Sequence, residues 1–362
     1  MISSKTCDAF LALVRLGIGH ESYALPKEID WTAIKALADV HGLSAVVLDG
    51  LNRLPLSILN SYGLSQLMRL EWIGEILQNY EARYKAYGQA IGSLAGFYNQ
   101  HGFRMMVLKG YACSLDWPNP EHRSCGDIDI WQFGEQQNAD VCLMNEKGIN
   151  VDMAQHHHTV FYWNGFMVEN HFDFLNVHHH KSNMALEAIL KDLGSDSRYS
   201  TQINSEKIYL PSPNLHALFL LRHTMGHFAA EHVQLRQILD WAFLVKCHSK
   251  EIDWVWLEGI LDKYGMMPMY QIMNAICVED LGFDVVTFQS YKVDNQQKMR
   301  VLKEILEPEF GFGLPSGLRE RTLFKTRRWY GSTWKHKLCY KESIWSAFAS
   351  GVWSHLLKPS TI

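Results

Sequence analysis

HRSCGDIDIW, residues 122–131, sets two aspartates, Asp127 and Asp129, two positions apart in an apolar run. The polar–apolar alternation through DIDIWQF is the mark of a strand with one buried face. Residues i and i+2 of a strand share a face, so both carboxylates project together while Ile128 and Ile130 turn into a core. Side-by-side carboxylates repel unless a cation or a shared proton neutralises them. Hard divalent cations favour oxygen ligands, and Mg²⁺ is often held by one or two carboxylates plus substrate phosphates. The pair thus fits half of a site for a metal–nucleotide complex. A solvated strand face carrying two acids is the plainer reading, and this motif alone leaves it open.

Upstream, FRMMVLKG (103–110) is a short β-like run ending in glycine. YACSLDW (111–117) suits one or two helical turns, and PNPEHRSCG (118–126) is a loop rich in turn formers. Downstream, residues 135–148 have a helical pattern. In FYWNGFMVENHFDF (161–174), Asn164–Gly165 between two aromatic-rich runs predicts a two-residue hairpin turn, whose central positions need positive φ. The first hundred residues read mostly as helix, with long amphipathic patterns over 29–51 and 64–102. After LPSPN (210–214), helical patterns resume over 214–247 and continue to about 282. The chain has no internal repeat and no low-complexity tract.

The 362 residues allow two or three domains, and 47% hydrophobic content predicts a well-filled core. A formal net charge of −4 argues against stable DNA binding. The seven cysteines are scattered with no CxxC pair, as expected of reduced thiols in a cytosolic protein. Asp8 and Arg15 interrupt the apolar N-terminus, which reads as an amphipathic helix rather than a signal peptide. No apolar run is long enough for a membrane span, and the expected location is cytoplasmic.

VLKGYACSLDWPNPEHRSCGDIDIW (107–131) resembles the nucleotidyltransferase superfamily that includes DNA polymerase β. There a glycine-containing turn at the head of a helix precedes a strand with Asp-x-Asp, and a third acid lies on a neighbouring strand. More narrowly, the chain is similar to a bacterial nucleotidyltransferase family. The residues that carry this are Leu108, Lys109, Gly110, Arg123, Asp127, Ile128 and Asp129, then Glu169 to Phe172 on the hairpin. His223, His227, Leu235, Arg236 and Asp240 on a later helix complete the match, which spans about residues 100–245. The superfamily's usual serine at the turn is missing, so Lys109 would meet phosphate as a point charge, helped by N–H groups at the start of the next helix. Asn170 and Phe172 stand where the family has leucine and tryptophan.

The resemblance implies an α+β fold: a small mixed-sheet, polymerase β-like core with helical regions at both ends. The expected divisions are an N-terminal helical region (1–100), the α/β core (101–212), helices packing on it (213–300) and a basic C-terminal helical segment (301–362). It further implies transfer of a nucleoside monophosphate from an NTP, ATP by default, to an acceptor hydroxyl with release of pyrophosphate. Asp127, Asp129 and Glu169 would be the catalytic acids and would hold Mg²⁺ or Mn²⁺. Lys109, Gly110, Arg123, His171 and Arg236 would bind the nucleotide. Asp173 is the rival third acid and Asp152 a remote one. The acceptor, a small molecule or a protein, is not legible.

Several residues carry two readings. The runs HHH at 156–158 and 178–180 suggest zinc, but consecutive strand residues face opposite sides, so three cannot converge on one metal. Contacts to substrate from His158 or His171 are the alternative. His223 and His227 share a helix face, as do Arg236 and Asp240, which could pair with each other in a polar network. From Leu318 to Lys358 nine lysines and arginines oppose Glu320 and Glu342, a basic face on docked helices or a surface for membrane or nucleic acid. Two other functions compete: an Asp-x-Asp glycosyltransferase using a sugar nucleotide, and a non-catalytic nucleotide-binding module of the same fold.

Overall fold

The computed structural model describes residues 4–20, 24–178, 180–311, 313 and 315–345. Among the described residues six strands form one mixed sheet: β1 (Met106–Val107), β2 (Ile128–Trp131), β3 (His158–Trp163), β4 (Phe166–His171), β5 (Ser200–Ile203) and β6 (Glu206–Tyr209). Their order is β3-β4-β2-β1-β6-β5. β2 runs parallel to β4 and β1 parallel to β6, while β1–β2, β3–β4 and β5–β6 are antiparallel.

Local sequence explains the strand joints. Asn164 and Gly165 both have positive φ, 48° and 82°, as the predicted hairpin requires. The β5–β6 hairpin escaped the sequence reading. Its turn is Asn204–Ser205, at φ 51° and 70°, and neither residue is the glycine that usually marks such a turn. β1 is only two residues long because Lys109 and Gly110 divert the chain, Gly110 at φ 48°.

The sheet's two faces differ. Val107, Ile128, Ile130, Phe161, Val168 and Ile208 pack with Tyr87, Ile91 and Leu94 of the helix Arg83–Gln100. Leu143 of the helix Gln136–Lys147 joins this cluster. On the opposite face, Met106, Leu108 and Trp131 join a larger apolar cluster with Leu218 and Phe219 of the helix Pro213–Ala230. That cluster also takes in Phe10 and Trp72 from the N-terminal helices, so helices from both ends of the chain share one core with this side of the sheet.

Two helical patterns turn out to be composite. The 64–102 stretch is α-helix, a π-helical segment at Leu77–Ala82, and α-helix again. The 214–247 stretch breaks between Pro213–Ala230 and Leu235–His248, where Gln234 and Gln237 form a reciprocal capping box that starts a new helix. Of the basic C-terminal segment, helices Leu318–Gly331 and Thr333–Cys339 are described. The rest of the segment expected to be helical, beyond Trp345, lies outside the described residues.

One buried ion pair fixes the approach to β2. Arg123 donates from Nε to Asp240 Oδ1 and from Nη2 to Oδ2, both at 2.7 Å, and Trp117 Nε1 donates to the same carboxylate at 3.0 Å. Both charged side chains are about 95% buried. Truncating one partner strands a buried charge, which costs about 3–5 kcal/mol. Arg123→Ala is therefore expected to lower unfolding free energy by that amount in urea melts, far beyond the effect of a surface arginine.

Candidate functional site

Because β2 and β4 are parallel neighbours in register, Asp129 stands opposite Glu169 and Trp131 opposite His171. On the other side of β4, His158 pairs with His171 and Val160 with Glu169. Period-two alternation then puts Asp129, Glu169, His171 and His158 on one face of the sheet. Asp129, Glu169 and His158 line a cavity of about 320 Å³ together with Lys109, Gly110, Gly126 and Asp127, while His171 is buried beside it. Leu220, His223, Thr224 and His227 of the helix Pro213–Ala230 form one wall, and Arg236 and Gln237 of the next helix form another.

Lys109 Nζ lies 2.6 Å from Asp129 Oδ1, and His171 Nε2 lies 3.1 Å from the same oxygen. Glu169 faces two imidazoles, with His158 Nε2 and His171 Nε2 each 3.7 Å from its carboxylate. Gly110 admits this packing. A Cβ there would sit 2.4 Å from the Tyr87 hydroxyl, which donates to the Asp127 carbonyl at 2.7 Å.

The charges divide sharply. Burial works against ionised Asp129, but the Lys109 ammonium and His171 outweigh it and hold the carboxyl well below its usual range. Burial also opposes the Lys109 ammonium, and the charges of Asp129, Glu169 and Asp127 more than compensate, so its pKa is raised. Glu169 is pushed up to about 7 by burial and then by Asp129. Asp127 is raised for the same two reasons. Burial, with neighbouring imidazoles and Lys109, drops His157 to about 2 and His158 to about 4, so both rings are neutral at neutral pH.

A divalent cation fits this donor set. Ligand atoms of Asp129, Glu169 and His171 lie within 4.8 Å of one another, and the Asp127 carboxylate shares the cavity without belonging to that group. The rival acids are engaged elsewhere. Asp173 pairs with Lys191, and Asp152 accepts from the Ala154 amide at 2.8 Å.

The basic residues are placed unevenly. Lys109 and Gly110 line the cavity, but Lys109 leads into a single-turn helix, Tyr111–Ser114, too short for a substantial dipole. Arg123 reaches the rim with its guanidinium committed to Asp240. Arg236 does not pair with Asp240, which Arg123 already occupies. It donates to the Ser124 carbonyl and hydroxyl at 2.5 and 2.6 Å.

Sequence reasoning missed His157 and the support beneath β4. His157 precedes the first residue of β3, so strand alternation does not bind it, and it joins His158 and His171 with ring nitrogens within 4.8 Å. On the reverse face, Asn170 Nδ2 donates to Gln132 Oε1 at 2.9 Å and Asp140 Oδ1 at 2.8 Å. Thr159 donates to Asp140 at 2.8 Å, completing a buried polar network that accounts for Asn170 in place of leucine.

Residues 27–282 match the family described as "Uncharacterised nucleotidyltransferase". The chain belongs to this family. No curated protein matches this nucleotidyltransferase family member at a significant level. Among solved structures it is similar to an antigenic nucleotidyltransferase-like protein from Paracoccidioides brasiliensis, at 16% identity and a TM-score of 0.33. That match covers 49% of this chain and 85% of the other, a likeness too distant to bear on its chemistry. Among the described residues, no helix is long and apolar enough to cross a membrane.

Glu169 in this nucleotidyltransferase gives a pH signature. The unfolded chain loses that proton near 4.5 and the folded chain near 7, so the folded state binds more protons in between. Stability contributed by neutral Glu169 is then present below about pH 4.5 and lost as pH rises through 7. Discounted for partial exposure, the loss is on the order of 1–3 kcal/mol. Glu169→Gln is expected to raise the melting temperature of the metal-free protein at pH 8 and to flatten its pH dependence between 5 and 8 in scanning calorimetry.

Proposed function

We propose that this chain moves a nucleoside monophosphate from an NTP to an acceptor hydroxyl, releasing pyrophosphate, on a polymerase β-like core. The observation that carries the reading is the in-register pairing of Asp129 and Glu169 on parallel strands, with Asp127 in the same cavity and Lys109 beside them. Family membership supports it.

In this reading Asp127, Asp129 and Glu169 hold Mg²⁺ or Mn²⁺ with the NTP. The cation, when bound, neutralises the phosphates and stabilises charge on the attacking and leaving oxygens. Lys109 can turn from Asp129 toward the anionic phosphates once other charge satisfies that carboxylate, while Gly110 lets the backbone approach closely. Glu169, poised near neutrality, serves as third ligand or accepts the hydroxyl proton. Arg123 acts by fixing the loop that presents Asp127, and Arg236 by bracing Ser124 at the rim. His171 orients Asp129. ATP is the default nucleotide, the acceptor is a small molecule or a protein, and the setting is the cytoplasm without stable DNA binding.

Incubation with each labelled NTP and with UDP-sugars separates the competing functions. Pyrophosphate release supports nucleotidyl transfer, sugar transfer supports the glycosyltransferase, and binding without product supports the non-catalytic module. Asp127→Asn is expected to cut pyrophosphate release on the order of 100-fold or more, the scale of several kcal/mol of lost charge stabilisation. Its melting temperature should hold or rise, because burial already disfavours the Asp127 carboxylate. Full pyrophosphate release by that variant would remove Asp127 from the chemistry.

A further inference from the structure

The histidines beside the acid cluster are arranged as ligands rather than as a surface run. His157 and His158 come from the entry to β3, and His171 ends β4, directly opposite His158. The His157 carbonyl accepts from the Phe172 and Asp173 amides, each at 3.1 Å, so the entry to β3 is stitched to the exit from β4. Ring centroids of His157 and His158 lie 5.6 and 5.3 Å from that of His171.

The hydrogen bonding of these rings is incomplete in a telling way. His171 Nδ1 lies 3.1 Å from the Asp173 carbonyl, which only accepts, so Nδ1 carries a proton. The other nitrogen, Nε2, then faces Asp129 Oδ1 at 3.1 Å and Glu169 Oε2 at 3.7 Å, two further acceptors. With that proton on Nδ1, Nε2 is the nitrogen turned toward the carboxylates, where it donates to Asp129 when it carries a proton and offers a lone pair to a cation when it does not. Backbone-carbonyl anchoring of one imidazole nitrogen while the other meets a metal is the usual outer-shell arrangement of a histidine ligand. His157 Nδ1 and His158 Nδ1 are both buried without a hydrogen-bond partner.

The spacing agrees. Ligands on a tetrahedral Zn²⁺ with bonds of about 2.0–2.1 Å stand about 3.4 Å apart. Both imidazole–Glu169 separations are 3.7 Å, too long for a hydrogen bond and close to that spacing. Each of the three imidazoles offers one nitrogen within 4.8 Å of the other two.

We propose that His157, His158 and His171, with the Glu169 carboxylate completing the set, form a binding site for a borderline divalent transition cation of the Zn²⁺ class. This site shares His171 and Glu169 with the acid cluster and differs from the oxygen-only positions of Asp127 and Asp129 in its imidazole donors. Imidazole donors suit Zn²⁺, Co²⁺ and Ni²⁺, whereas Mg²⁺ and Ca²⁺ prefer carboxylate and water. The inference deepens the proposed function, since it makes Glu169 a ligand rather than the proton acceptor. It rests on ring geometry and not on nucleotidyl transfer, so the two fail independently.

The test is equilibrium binding of Co²⁺ and Zn²⁺ to the full chain after chelator treatment, with no nucleotide and with excess Mg²⁺. One equivalent of Co²⁺ with the intense visible absorption of a tetrahedral centre is expected, displaced by Zn²⁺ and not by Mg²⁺. His158→Gln and His157→Gln should each weaken Co²⁺ binding by at least about 100-fold, beyond the usual loss for outer-shell changes. Asp127→Asn should leave that affinity unchanged. Circular dichroism establishes that the variants fold. X-ray absorption of the zinc-loaded wild type gives a second readout needing no variant, with the outer-shell scattering of three imidazole ligands expected. Absence of Co²⁺ binding, unchanged affinity in both histidine variants, or an oxygen-only first shell would overturn the site. Mg²⁺-dependent pyrophosphate release could then still stand, and its loss alone would leave the metal site intact.

Discussion

The attraction between the Lys109 ammonium and the buried Asp129 carboxylate underlies the whole arrangement. Three acids share one small cavity, and the low dielectric of their surroundings magnifies every repulsion between them. At 2.6 Å, Lys109 settles Asp129 as the charged member and leaves the remaining cost on Glu169 and Asp127. A pair of titratable groups driven apart in this way is a hallmark of sites built for chemistry, because burial alone would have neutralised all three. The sheet faithfully reproduces that tension: parallel registry makes Asp129 and Glu169 neighbours whether or not anything is there to reconcile them.

Support for this face comes from behind and from the side. Asn170, Thr159, Asp140 and Gln132 form a buried polar network under β4, which pins its register where an apolar residue could slide. Glu187 accepts from the amides of Phe174 and Leu175 at 3.0 and 2.9 Å, fixing the chain just past His171. From the side, Arg123 and Asp240 tie the loop before β2 to a helix more than a hundred residues later. The acids are thus presented by elements that cannot readily relax away from one another.

Much of this could be read from residue order. The Asp127–Asp129 spacing, the Asn164–Gly165 turn and the helical patterns at both ends follow from short-range rules of period and turn geometry. Partner choice did not follow. Arg236 and Asp240 sit four apart on one helix, yet Asp240 binds Arg123 in a bidentate buried pair while Arg236 is committed to Ser124 and Gln234. The β5–β6 hairpin was hidden because Asn204–Ser205 lacks a glycine. The run 156–158 does not converge as three, but His157, one residue before the strand begins, joins His158 beside His171, a grouping that strand alternation does not predict. Long-range pairing and exact element boundaries are what a local pattern cannot encode.

β1 has only two residues, yet it joins the β3-β4-β2 half of the sheet to the β6-β5 half. So brief a ladder gives the two halves little mutual grip, and the Leu108 amide, bonded to the Asp129 carbonyl at 3.0 Å, extends it by a single link. The Lys109–Asp129 contact spans the same seam one residue farther on. An anion that draws the ammonium off its carboxylate therefore loosens a mechanical fastening as well as rearranging charge, and ligand arrival becomes a tug on the joint between two hairpins.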